Sequence, residues 1–411
     1  MASTVTVGMS GSWDLSGEIR PTKEASFSTI GLIGISPNKS ADIEYNRCYT
    51  VTTDDSDLSD KFGEGDILDA LNDMALCVED GQYALSVTVV VVEKGADDAA
   101  TITNIAGTSA AGTGVFAFKL ATMHQAELPR LMVIAGGYDM ILGTDDTANQ
   151  AVQNLDSVCS SILGMAFFNG PSTTKADAIT HREKYSSKRL VMTDGGVVVD
   201  SVSKPAAHFV AAMQAAVDLE HDGIPSHCAG MRSMNVGGPG REIDFTLNNP
   251  SCEGQDLLSY QIGIIVVGDA GADFSVGDGG TYYVGAHTLS DDSLEQFINV
   301  VRMQDYVLLN ILRTQRQFLV KYNLTVTVAR NIIATAQSFL SKLAAKDAIY
   351  PNPYAKFVGN DSSPEDWREG KLEISAFAEP HAPLMTIDTT FYRDRDAIEY
   401  SIAELEAYSA A

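Results

Sequence analysis

Apolar and polar positions alternate along this chain in two rhythms, and the order of those rhythms predicts its architecture. A short apolar run, STIGLIGI at 28–35, is bounded by Pro37 and Asn38 and predicts a buried strand. YALSVTVVVVE at 83–93 predicts the strongest strand of the chain, after a helical pattern over 67–77. From residue 131 strands and helices alternate. Strands are predicted at 131–135, 165–169, 190–193 and 262–267, with helices over 147–163, 175–187 and 205–220. In the first of these helices Ala148, Ala151, Val152, Leu155, Val158, Cys159 and Ile162 share one stripe. The Ala-rich helix from Pro205 is apolar nearly all round, which predicts burial on most sides. Repeated strand–helix–strand units imply a largely parallel sheet covered by helices.

The C-terminal third reads differently. Residues 296–302 look like a strand and 304–320 like a helix, with Leu308, Ile311, Leu312, Phe318 and Leu319 at helical spacing. A second helix is predicted over 328–346. It has Ile332, Ile333, Ala336, Phe339, Leu340 and Leu343 on one face and Arg330, Lys342 and Lys346 toward the other. Residues 360–369 read as a polar loop and 371–377 as a strand. Met385, Ile387, Thr389 and Phe391 alternate again beyond Pro380 and Pro383. No internal repeat is visible.

The expected fold is therefore α/β and multi-domain. A central, mostly parallel α/β sheet is joined to a smaller α+β C-terminal domain, with an extended arm at each end. The divisions are a polar Ser/Thr/Gly-rich N-terminal arm (1–26), an N-terminal strand with a β-rich outer domain (27–125) and the central α/β domain (126–289). The C-terminal α+β domain (290–384) and a C-terminal strand or arm (385–411) follow, the arm reading as either extended or helical over 403–408. A length of 411 residues exceeds what one core usually organises.

Composition narrows the function. Fifty-four acidic residues against 28 basic give a net charge of −26, which repels phosphate backbones and argues against a nucleic-acid binder. Simple solubility accounts for such a surface equally well. No apolar run reaches the length that crosses a bilayer, and the first 13 residues lack the basic start and apolar stretch of a signal peptide, so neither membrane insertion nor export is expected. Cys48, Cys77, Cys159, Cys228 and Cys252 are scattered without a CxxC pair, which predicts buried free thiols.

Candidate chemistry is sparse. VGGPGR at 236–241 is Gly-rich but lacks the G-K-[ST] ending of a phosphate loop, and no G-x-S-x-G elbow occurs. Asp194 ends a predicted parallel strand, where open α/β sheets place ligands, and His208 follows on the next helix. Asp194-Gly-Gly is equally ordinary turn chemistry. His221, His227 and Cys228 lie close in sequence, at a spacing that matches no zinc-ligand rule. The acidic stretches 54–66 and 269–278 lack the order of a calcium loop. No catalytic residue, metal or cofactor is assigned.

Several segments in the same order resemble the contractile tail sheath proteins of myophages and of phage-tail-like bacteriocins. These are EIRP at 18–21 leading into 26–35, residues 99–114 with TNI and AAG, and the Ala-rich helix and loop of 204–230. VGAHTLS (284–290) stands where the family has Trp-Gly-x-Arg-Thr, and FINVVR (297–302) where it has Phe-Ile-Asn-Val-Arg-Arg. Val284, His287 and Val301 replace the family's Trp, Arg and first paired Arg. GKLEI (370–374) resembles the closing domain.

The resemblance implies a structural, non-enzymatic subunit of a sheath of stacked hexameric rings. Such a sheath surrounds an inner tail tube and contracts to drive that tube through a bacterial envelope. It implies as partners further copies of the chain, the tube protein, and baseplate and tail terminator proteins. Its place would be the virion tail, assembled in the host bacterial cytoplasm, without cofactors, direct nucleic-acid contact or membrane insertion. It also implies that arm residues link subunits, with Ile19, Met385, Ile387, Phe391, Ile398, Tyr400 and Ile402 as candidates. A C-terminal helix would contact the tube: 328–346 through Arg330, Lys342 and Lys346, or else 304–320. An ordinary solvated Lys face reads equally well for those three cations. An α/β enzyme (hydrolase or nucleotide-binding) and a different virion component, such as a shell or tube protein, are the competing readings.

Overall fold

A computed structural model of the chain describes residues 26–78, 83–358 and 364–410. Its N-terminal half supplies β1 (Ile30–Ile35), β2 (Cys48–Thr52), α1 (Leu58–Phe62), α2 (Asp66–Cys77), β3 (Ser86–Val92) and α3 (Asp98–Ala106). Then come β4 (Leu131–Ile134), α4 (Gln150–Ile162), β5 (Met165–Asn169), α5 (Lys175–Arg182) and β6 (Leu190–Asp194). Three short strands, β7 (Val197–Val199), β8 (Val202–Lys204) and β10 (Gly238–Pro239), form a small side sheet. The large sheet is completed by β9 (Arg232–Met234), β11 (Ile262–Val267) and β12 (Thr281–Val284), with α6 (Ala207–Glu220) and α7 (Glu253–Ser259) between.

The nine strands run in the order β2-β3-β1-β4-β5-β6-β11-β12-β9. Six central strands, β3 to β11 in that order, are mutually parallel, while β2 at one edge and β12 and then β9 at the other pair antiparallel to their neighbours. β1 is buried at every position, as a central parallel strand with helices on both faces must be. One face packs under α2 and α6, the other under α3, α4 and α7. The apolar circumference of α6 is explained directly, because eleven of its fourteen residues are buried. Four of the five free cysteines are buried, Cys228 being half-buried.

Residues 27–125 do not form a separate β-rich unit. β1 pairs in parallel with β4, Ile30 opposite Leu131, so the N-terminal strands are the continuation of the central sheet. Sequence periodicity identifies strands but not which strands become neighbours, and the boundary expected at 125 crosses a continuous ladder.

The C-terminal unit holds α8 (Ile298–Gln315), α9 (Val326–Ala345), β13 (Tyr354–Phe357), α10 (Pro364–Arg368) and β14 (Ile374–Phe377). Here the expected strand over 296–302 is instead the first turn of α8. Every residue from Ile298 to Met303 is buried, so no one-sided stripe betrays the helix, and the β-branched content mimics a strand. Part of the expected polar loop is α10. At the far end α11 (Arg395–Ser409) is helical where a strand or arm was expected. Ile398 and Ile402 satisfy both a period of two and a helical turn, and the Ala, Glu and Leu content beyond 402 tips the segment to helix. Among the described residues no helix is long and apolar enough to cross a membrane.

Two buried groups in the body give opposed pH dependences. Asp139 is fully buried and accepts hydrogen bonds from the Asn169 backbone N–H (2.8 Å) and Nδ2 (2.9 Å), yet burial pushes its carboxyl up from 3.8 to about 6. His181 packs on Phe168 and Tyr185, and burial pushes it down from 6.5 to about 4. A raised carboxyl contributes stability that is present below its unfolded value and lost as pH rises through about 6. A depressed histidine contributes stability that is present at neutral pH and lost as pH falls from 6.5 towards about 4. Each term is worth about 3 kcal/mol, and they oppose each other. Asp139→Asn is therefore expected to steepen the loss of stability between pH 7 and 4.5, and His181→Leu to flatten it. Urea midpoints at the two pH values check both signs.

Candidate assembly interface

The first turns of α8 are bolted to the sheet body by buried charge. Arg302 donates from Nη1 to Asp218 Oδ1 on α6 (2.9 Å) and from Nη2 to the carbonyl of Phe27 (2.9 Å). Asp218 is completely buried and Arg302 2% exposed. One turn on, Asp305 takes a bidentate pair from Arg189, which stands just before β6. Asn299 Nδ2 bridges the Ser226 carbonyl (3.0 Å) and the His381 carbonyl (2.8 Å), so it also holds the root of the C-terminal segment. Phe27 and Ile224 of the body share one core with Met303, Tyr306, Phe339 and Leu340. Sheet body and C-terminal unit thus pack as one piece, sharing buried ion pairs and an apolar core.

The outer side of that piece is unfinished. Of the apolar positions read along the expected helix over 304–320, Ile311 is buried, whereas Leu308 (50%) and Leu312 (49%) on α8 and Leu319 (71%) in the turn beyond its end are exposed. Leu308 and Leu312 face Ile374, Ala376 and Ala378 across an apolar groove of about 340 Å³. Among the described residues β14 pairs with β13 alone, which packs against α9, so the other edge of β14 is open. An open strand edge beside an uncovered apolar helix face is a template for an added strand. The sequence carried a signal for it, since the α8 pattern is apolar on more than one side.

The C-terminal segment has the complementary character. Met385, Ile387 and Phe391 are exposed and lie outside any helix or strand of the described residues. Ile398, Tyr400 and Ile402 project from α11, all of whose residues are exposed. Ile19 lies outside the described residues.

The three cations of α9 do not converge. Lys346 pairs with Asp222 Oδ2 (2.8 Å), and Lys342 with Lys346 helps hold the Asp222 carboxyl below its ordinary value. Both serve the body end of the helix. Arg330 is exposed near the other end, about 24 Å away at 1.5 Å per residue.

The residues considered for chemistry belong to structural networks. Asp194 Oδ1 accepts from the Ser172 backbone N–H (2.8 Å) and Oδ2 from Arg241 (2.8 Å), which also pairs with Glu253. His208 instead faces Asp73 (3.2 Å), which Lys204 also contacts (2.6 Å), so the two belong to separate clusters. The rings of His221 and His227 stack at 3.8 Å, while Cys228 turns to Asn299. Among the described residues no three His, Cys, Asp or Glu side chains are placed to hold a metal.

No family model matches the chain. Over 254 residues it is 28% identical to a Pseudomonas aeruginosa (strain UCBPP-PA14) protein named "Putative prophage major tail sheath protein". That match spans 60% of this chain and 60% of the relative's length. Among solved structures, the sheath of an extracellular contractile injection system (PVC) in its contracted state superposes with a TM-score of 0.68 at 14% identity. The match covers 97% of this chain and all of that one. The contracted helical sheath of the anti-feeding prophage gives 0.63 at 14% identity over 95% of this chain and all of that one. A chain of the same particle's contracted baseplate gives 0.68 at 15% over 96% of this chain and all of that one. The chain thus shares the fold of these contractile-particle structures, and its sequence is similar to a protein named as a tail sheath protein, the kind of protein that its own motifs resemble.

Proposed function

We propose that the chain is a structural, non-enzymatic subunit of a contractile tail sheath. Copies would assemble as stacked hexameric rings around an inner tail tube and contract to drive it through a bacterial envelope. The observation that carries this reading is the pairing of an open β14 edge and uncovered α8 face with an exposed, alternating segment at 385–391. A segment that cannot satisfy its pattern within its own chain fits the vacant edge of a neighbour, with main-chain hydrogen bonds giving affinity. Donation from one copy to the next is head-to-tail, and such contacts build helical tubes when they do not close. The buried ion pairs of α8 favour movement of body and C-terminal unit as one block, with the arms flexing as hinges. Contraction then repacks rigid blocks into a lower-energy lattice, and a kinetic barrier preserves the extended state.

The N-terminal arm, through Ile19, is the second strand donor in this scheme. Arg330 is the tube-facing cation, whereas Lys342 and Lys346 anchor α9. Baseplate and terminator proteins cap the two ends of the sheath in the virion tail, which assembles in the host cytoplasm.

Electron microscopy of the purified protein tests the reading. Striated or hollow helical tubes are expected, and deletion of residues 1–17 should abolish them while leaving the circular-dichroism spectrum and melting temperature in place. A small oligomer that stays unassembled across concentration and salt would overturn the proposal.

A further inference from the structure

Beyond the strand that residues 385–391 would add, the chain carries a second unpartnered element, and its charge indicates where it goes. α11 is exposed throughout, yet Ile398, Ile402 and Leu405 form one apolar stripe at i, i+4 and i+7. From 395 to 411 there are four acidic residues and one basic, and that one, Arg395, pairs with Glu399 at 2.9 Å. Between 298 and 346 the balance reverses: of seven basic residues Arg302 and Lys346 pair with Asp218 and Asp222 of the body, and the other five accompany a single acid, Asp305, which is buried against Arg189. In a chain of net charge −26, the α8–α9 hairpin is thus a local cationic island. Its tip also exposes apolar surface, with Leu319 71% and Val320 fully accessible, next to Arg316 and Lys321.

We infer that α11 docks on the tip of the α8–α9 hairpin of a second copy, Ile398, Ile402 and Leu405 covering Leu319 and Val320. Glu404 and Glu406 then face Arg316 and Lys321. An amphipathic helix seated on an apolar strip is an established mode of recognition, and the paired charges fix its register. Residues 381–394 span about 45 Å when extended, enough to carry α11 to a neighbouring molecule. The inference rests on the strand-donor reading in that both elements belong to one arm, but it assigns the helix a separate job. The strand would provide the hinge, and the helix would latch its end.

The test uses the full chain and follows tube assembly by sedimentation and microscopy. Glu404→Arg with Glu406→Arg, or Arg316→Glu with Lys321→Glu, should each raise the concentration at which tubes appear by about five- to tenfold. Combining all four reversals should restore assembly. A combined variant no better than either parent overturns the pairing. In parallel, Leu319→Cys with Leu405→Cys is oxidised and run on a denaturing gel. A ladder of linked chains is expected; linkage within single chains, or none, overturns the second-copy occupant. Thr389→Pro separates the two ideas, because it blocks strand addition without touching α11. Unchanged assembly in that variant removes the strand reading, while the ladder still decides the helix.

Discussion

Replacing Asp218 by Ala is expected to lower the unfolding free energy by about 3–5 kcal/mol, the largest single-site effect anticipated in this chain. The carboxylate is wholly buried and receives both Nη atoms of Arg302. Burial raises the carboxyl against the downward pull of Arg302, which marks the site as one where solvent offers no relief. Its removal strands a guanidinium that is 2% exposed and, among the described residues, keeps a hydrogen bond to the Phe27 carbonyl alone. The cost of an uncompensated buried charge, rather than the worth of the pair, sets the magnitude. An Asp218→Leu, Arg302→Met double variant should therefore recover most of the loss, because an apolar pair of similar volume avoids both desolvation terms. Urea unfolding of the three proteins measures it. A single-variant loss below about 1 kcal/mol would contradict the geometry, since exposed pairs cost no more than that.

The second prediction concerns assembly rather than stability. Truncation after Leu384 should eliminate tubes at any salt concentration while moving the melting temperature by no more than about 2 °C. Every described residue beyond Leu384 is exposed, so the fold loses no core. What disappears is the segment whose apolar residues, Ile387 at 76% and Phe391 at 90% exposure, are left uncovered by the described residues. Microscopy with a parallel thermal melt reads both quantities. A truncated protein that still forms tubes would remove the arm from the mechanism. One that melts much earlier would show that the segment belongs to the subunit's own core.

Together the two predictions separate what holds one subunit from what joins many. Charge buried at the root of α8 ties body and C-terminal unit together, and under the proposed function the apolar surface left uncovered beside α8 and along the arm would make the connections. A sheath that stores its energy in packing needs both properties in one chain.

The alternating strands and helices from 131 to 267 were legible because short, mainly apolar strand runs alternate with longer helical stretches, such as α4, that keep one buried stripe. The apolar run of β3 and the all-round apolar α6 announced a sheet covered on both sides in the same way. Legibility failed where a buried helix turn is rich in β-branched residues or where partners are distant. The first turn of α8 has no polar face to reveal its period, and the pairing of β1 with β4 depends on a contact about a hundred residues apart. Arg330, Lys342 and Lys346 share a helix in the sequence, yet Asp222, more than a hundred residues away, draws two of them to one end. Composition, local period and the polar–apolar balance of the arms were therefore determined by the sequence alone. Which strands adjoin, which charges are buried together and which apolar face stays open were decided only by the tertiary structure. Those are relations between segments, and no local pattern carries the free energy of a contact made across the fold.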